Sequence, residues 1–242
     1  VALADRLDSI VGCFGIGLIP SGSEDPYALR RAATGVVQIL WDVGVSLDCA
    51  PLIRTALQAL GPRLSRPAGE VEREVGQFLA ARFLGLMVER GIPADLAAAV
   101  LPAEKAPADV PDAARRARAL LDLKASAQDF QQLTVALKRV MNILPPDFTG
   151  KVEPARLKET AERELHGAVA RLRDQVTRLV AARDYLEALR RIGTLRPVVD
   201  RFFTDVMVMV EDPALRKNRL ALLAETAALF SRIADFRQLT TT

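Results

Sequence analysis

Arg216, Lys217, Asn218 and Arg219 form an unbroken run of hydrogen-bond donors, shortly after a helical stretch that carries Phe202 and Phe203. Guanidinium, ammonium and amide donors beside aromatic rings are what unstacked RNA bases need, since edges and ring faces are then engaged together. Other chemistries lack their parts. The sequence has no Gly-rich phosphate loop, no nucleophile–base pair and no cluster of metal ligands. No catalytic residue and no metal site is therefore assigned. His166 is the only histidine, and Cys13 and Cys49 lie far apart without C-x-x-C spacing. That pattern argues against zinc.

The donor run sits in the stretch 200–236, which reads as two helices meeting at a sharp corner. Val199, Phe202, Phe203, Val206 and Val210 recur at helical spacing and make one apolar stripe. VMVMV (206–210) has strand propensity, but the longer stripe containing it favours helix. Glu211 ends this helix; Asp212 is placed to cap the next, with Pro213 at its first position. The second helix buries Leu215, Leu222, Leu223, Leu229, Phe230 and Ile233. Two competing roles stay open: the phenylalanines belong to a core stripe, and Asn218 or Arg219 could instead bond neighbouring helix ends.

Upstream, VALADRLDSIVGCF reads as a helix with Leu3, Leu7, Ile10, Val11 and Phe14 on its apolar face, before the turn-rich GIGLIPSGS. Asp25 and Pro26 repeat the Asp212–Pro213 cap signal, ahead of a stripe of Leu29, Ala33, Val36, Val37, Leu40 and Leu47. The flanks do not align, so this is one capping device used twice, not an internal repeat. Arg30 and Arg31 could touch RNA, but a solvated face is the favoured reading. Residues 51–101 form shorter helices jointed at Pro62, Pro67 and Pro93. PAEKAPADVP (102–111) is the most linker-like segment, with a domain boundary just beyond it. From Asp112 to Leu144 helical periodicity returns, and Lys138, Arg139 and Asn142 lie off its apolar stripe. Pro154 is expected to start a long helix whose His166 serves surface or packing, and Tyr185 to Ile192 make one more. The fold class is all-α, in two helical bundles.

Half of the residues are hydrophobic but only 5% are aromatic, which favours helices packed through small and aliphatic side chains. A net charge of +3 over 242 residues is no global polycation, so any nucleic-acid surface must be a local patch. No apolar run reaches the roughly 18 residues of a membrane span, and no signal peptide is expected. A reduced, cytoplasmic setting without a membrane partner is expected. The chain opens at Val1 in mid-pattern without methionine, as a fragment of a longer protein would.

DPALRKNRLALL, with LF-x-x-IADF after it, resembles the DALR-type anticodon-binding domain of aminoacyl-tRNA synthetases. The longer LRPVVDRFFTDVMVMVEDPALRKNRLALL is similar to the C-terminal end of bacterial glycyl-tRNA synthetase beta subunits. GSEDPYALRRAATGVVQIL and LKRVMNILPP match the same family in the same order, so the resemblance spans nearly the whole chain. It implies the tail of an HD-like domain (1–24), a helical body segment (25–111) and the DALR-type domain (112–242). ALADRLD resembles the last motif of HD-type phosphohydrolases, with Asp5 at the final metal-ligand position. The preceding His and His-Asp motifs are absent from this sequence, and one aspartate cannot hold a metal alone.

By this resemblance the fragment is non-catalytic and serves an ATP-dependent glycine–tRNA ligase of class II. The alpha subunit carries adenylate chemistry with ATP and Mg, and no cofactor belongs to this fragment. Its partners are tRNA-Gly and the alpha subunit of a heterotetramer. Glycine codons are GGN, so the second and third anticodon bases are cytosines, each showing an N4 donor and N3 and O2 acceptors. The resemblance points to Arg216, Lys217, Asn218, Arg219, Lys138, Arg139 and Asn142 as donors for tRNA. Asp205 and Glu211 are candidate N4 acceptors, and Phe202 or Phe203 a stacking platform. Two alternatives remain: the anticodon domain of another DALR-type synthetase, such as the arginyl enzyme, and a helical protein-interaction scaffold. The upstream matches weigh against the first.

Overall fold

A computed structural model describes residues 1–22, 24–25, 27–101, 105–126 and 130–241. The described residues fold as α-helices and short 3-10 turns, with extended pairing limited to an isolated bridge between Ser21 and Glu24. The chain divides into two compact units, Val1–Ala117 and Arg118–Thr242.

In the first unit, helix α1 (Ala2–Gly15) buries Leu7, Ile10, Val11 and Phe14, spaced so that all four share one face. Helix α1 packs against α2 (Leu29–Val43), α3 (Cys49–Leu60) and α4 (Ala68–Glu89), so the N-terminal helix shares a core with the three helices after it. The start of α2 departs from a simple aspartate cap. Ala28 takes left-handed backbone, φ 53°, and the Asp25 carboxylate accepts from the amides of Leu29 and Arg30 at 2.7 and 3.0 Å. Pro26 lies outside the described residues. Helix α2 stops at Val43 because Gly44 turns left-handed, φ 73°, so Leu47 is not part of its stripe. Next come helices α5 (Ala94–Val100) and α6 (Val110–Ser126), and the division between units falls inside α6. Residues 102–104 of the Pro/Ala-rich segment lie outside the described residues. Its later part is docked: the Cys49 amide donates to the Pro107 carbonyl at 3.0 Å, and Ala106 fills the space beside Gly76.

Burial sets the behaviour of Cys49. Removal from water, with the Asp48 carboxylate adding to it, pushes its thiol up to about 12. Only the thiolate is a competent nucleophile. At pH 8 the native protein should therefore leave Cys49 unmodified by a disulfide reagent, whereas the denatured chain reacts at both cysteines. Rapid labelling of Cys49 without denaturant would contradict this burial.

The second unit comprises α7 (Phe130–Asn142), α8 (Thr160–Ala181), α9 (Tyr185–Gly193), α10 (Arg196–Asp205) and α11 (Pro213–Ala227). Helix α8 packs on α9, α10 and α11, while α7 packs on α10, α11 and the 3-10 turn 236–238. Pro154 does not start the long helix. It opens a separate 3-10 turn (154–156), and α8 begins at Thr160 behind a reciprocal capping box of Glu159 and Glu162. Helix α11 ends at Ala227 and continues as hydrogen-bonded turns that still bury Leu229, Phe230 and Ile233.

The largest departure from the sequence reading is at 206–210. Helix α10 stops at Asp205, and Val206 is extended, φ −120° and ψ 118°. The segment is neither helix nor paired strand. It is an irregular strap, extended at Val206 and bent at Val208 and Met209, with Val206 and Val208 buried and Met207 and Met209 exposed. No described helix is long and apolar enough to cross a membrane.

Candidate nucleic-acid interface

The corner between α10 and α11 positions the donor run. Asp212 Oδ1 accepts from the amides of Ala214 and Leu215 at 2.9 and 3.2 Å, and Pro213 occupies the first helical position. Those two amides, Leu215 foremost, hold the Asp212 carboxyl below its usual range, with a smaller contribution from the Lys158 and Arg156 charges. The cap fixes the direction of the first turn, and the run then splits by face.

Asn218 and Arg219 point inward. Asn218 is 3% exposed; its Oδ1 accepts from the Glu153 amide at 2.7 Å and its Nδ2 donates to the Glu153 carbonyl at 3.2 Å. Arg219 is 5% exposed and donates from Nε to Glu162 Oε1 at 2.7 Å. Its Nη1 donates to the Met207 carbonyl, also at 2.7 Å, and so ties α11 to α8 and to the strap. These two side chains spend donors on the protein itself. Arg216 is half-buried, with Nη1 donating to the Val210 carbonyl at 3.3 Å, and Lys217 is exposed.

On α7, Lys138 is half-buried and donates from Nζ to the Leu239 carbonyl at 2.7 Å, while Arg139 and Asn142 are exposed. The Arg139 guanidinium lies over the Phe203 ring, 4.4 Å from its centroid. That contact joins two residues that are 64 positions apart in sequence, on α7 and α10. Phe203 is half-buried and meets Phe202 edge-on, with centroids 5.5 Å apart and planes at 81°. Phe202 is fully buried beneath it. The structure therefore separates the two phenylalanines: Phe202 is core, and Phe203 keeps part of its surface open under a cation. Asp205 and Glu211 are both exposed.

Sequence reasoning passes over the strap's outer side chains. Met207 and Met209 are 74% and 59% exposed, between the Phe203 end of α10 and the start of α11. Their signal is the alternation of VMVMV, which the longer apolar stripe outweighs. Arg156 and Lys158, near enough to act on Asp212, carry no local signal of that proximity. Among the described residues, no group of three or more His, Cys, Asp or Glu side chains converges as a metal site would require.

Residues 1–102 match the family model described as glycyl-tRNA synthetase beta subunit, and residues 133–236 match the DALR anticodon binding domain. The glycine–tRNA ligase beta subunit of Trichlorobacter lovleyi is 45% identical over 239 residues, covering 99% of this chain and 34% of the relative. The same subunit from Geotalea uraniireducens is 45% identical over 241 residues, and that from Anaeromyxobacter sp. strain K 45% over 243, with the same coverages. The chain thus spans about a third (34%) of the length of these curated relatives.

Proposed function

Since the chain belongs to the glycyl-tRNA synthetase beta subunit family, we propose that its second unit binds the anticodon arm of a glycine tRNA. In this reading it serves a cytoplasmic, ATP-dependent glycine–tRNA ligase whose alpha subunit carries ATP, Mg and the ligase chemistry. The observation that carries the reading is the Arg139 guanidinium seated on the half-open Phe203 ring, inside the region that matches the anticodon-binding domain. A ring face and a planar cation at the surface offer a stacking partner and directional donors together.

The roles derive from exposure. Phe203 with Arg139 forms the platform for an unpaired base. Arg216, Lys217 and Asn142 supply donors to base edges or phosphates, and the ammonium of Lys138 keeps N–H groups beyond the one given to Leu239. Asp205 and Glu211 remain the candidate acceptors for a cytosine N4. Asn218 and Arg219 serve the site by holding the corner in place.

Titration with glycine tRNA and an anticodon-altered control, across a salt series, tests this. Wild-type protein should prefer the glycine tRNA. If Arg139 or Arg216 reads a base, its replacement by alanine should cost about 1–3 kcal/mol and erode that preference. If it holds only phosphate, both tRNAs weaken alike and the salt slope falls by about one unit. Equal wild-type affinity for both tRNAs would reject anticodon reading.

A further inference from the structure

The first unit carries two arginines, on adjacent packed helices, that the anticodon reading does not use. Arg6, on α1, lies across α2 at Gly35, where an added Cβ would stand 3.1 Å from both Arg6 Cζ and Nε. The missing side chain opens the seat in which this arginine rests. Its Nε is buried without a hydrogen-bond partner. Arg31 precedes Gly35 by one helical turn on the same face of α2 and is exposed. Side chains one turn from Arg6 on α1 are Ala2, Leu3, Ser9 and Ile10; those one turn from Gly35 on α2 are Arg31, Ala32, Gln38 and Ile39. None is acidic. The neighbouring Arg30 is already committed, donating to the carbonyls of Gly22 and Glu24 at 2.8 and 3.2 Å.

We propose that Arg6 and Arg31 form a second RNA contact, a two-guanidinium seat for one backbone phosphate outside the anticodon arm. Arg6 is half-buried with no acceptor for its guanidinium among the described residues, so its Nη groups beyond the buried Nε keep donors that a phosphate oxygen engages with charge assistance. A packed stem lowers the entropy lost when the guanidinium is engaged. The contact lacks an aromatic face, so it binds backbone and positions the RNA without reading sequence. This inference rests on the proposal that the chain binds tRNA.

The test uses the full chain with two probes, whole glycine tRNA and its isolated anticodon stem–loop, titrated across a salt series. Arg6→Gln with Arg31→Gln should weaken the whole tRNA and flatten its log–log salt dependence by about one unit, the slope of one phosphate contact. Stem–loop binding should be unchanged. Arg54→Gln, which removes one charge from the surface pair with Glu72, should leave the slope for both probes at the wild-type value. If Arg6→Gln lowers the thermal midpoint, the exposed Arg31→Gln variant carries the test. A double variant that matches Arg54→Gln overturns the proposal, as does an equal loss on both probes. Wild-type protein that ignores the stem–loop but keeps the arginine-dependent slope overturns anticodon binding and leaves the phosphate seat standing. Failure of wild-type protein to bind either probe overturns both.

Discussion

Replacing Arg219 by alanine is expected to cost about 3–5 kcal/mol of folding stability, the scale for breaking a buried ion pair from one side. The loss comes from what remains behind. Glu162 is fully buried, and its Oε1 has Arg219 as an ion-pair partner at 2.7 Å. Its other oxygen accepts from the Glu159 amide at 2.7 Å and so starts α8. Removing the guanidinium leaves a carboxylate without a counter-charge in a space that cannot hydrate it. The Met207 carbonyl also loses its donor, which releases the strap. Removing the charge from both sides should cost far less, because the desolvation penalty disappears with the charges. Arg219→Met combined with Glu162→Gln, which keeps an acceptor for the Glu159 amide, should recover most of the loss. Urea unfolding measured by circular dichroism reads the change as a midpoint shift at constant slope. Trp41, the single tryptophan, reports on the other unit and should move much less. A loss below about 1 kcal/mol would mean that the pair behaves as a surface ion pair. Because Arg219 acts from inside, its loss should weaken glycine tRNA and an anticodon-altered tRNA together.

Much of the helical frame is legible in the sequence, since local pattern determines it. Phe130, Leu133, Leu137 and Val140 share one face of α7 at helical spacing and are all buried there. Asp212 and Pro213 start α11 where a cap and a proline belong. The strap is not legible, for a specific reason. Val206 is buried both on a continued helix and on an extended segment, so the apolar stripe does not separate the two. Donors from the following helix decide the matter: Arg219 takes the Met207 carbonyl, 12 residues back, and Arg216 the Val210 carbonyl, 6 residues back. Apolar periodicity does not weigh those bonds against another turn of helix. The donor run divides for a similar reason. Residue type marks Asn218 and Arg219 as polar, but their partners, the Glu153 backbone and the Glu162 carboxylate, lie 65 and 57 residues away. Alternation in VMVMV is visible, and deserves more weight than the stripe allows it. The pairing of Arg139 with Phe203 is not visible, because helix packing alone brings α7 to α10.

Two adjacent phenylalanines should answer the same substitution in opposite ways. Phe202 is packed on all sides and closed to water, so Phe202→Ala removes a buried ring and leaves a cavity. The expected cost is about 3–5 kcal/mol of stability. Phe203 is half-buried, and one face of its ring carries the Arg139 guanidinium. Phe203→Ala therefore gives up a smaller packed area and a cation–π contact worth about 0.5–1 kcal/mol at an exposed site. Its effect on RNA should be the larger one, since a base stacked on an aromatic ring is worth about 1–3 kcal/mol. Unfolding curves and tRNA titrations on the two variants, at a temperature where both remain folded, separate these contributions. The expected pattern is a crossing: Phe202→Ala loses stability and retains tRNA affinity once folded, whereas Phe203→Ala stays stable and binds more weakly. Phe203→Leu keeps apolar volume without the flat face, and should preserve stability while remaining weak in tRNA binding. If Phe203→Ala binds glycine tRNA as wild-type protein does, this ring is no platform, and base contact must lie instead with the donors at the start of α11.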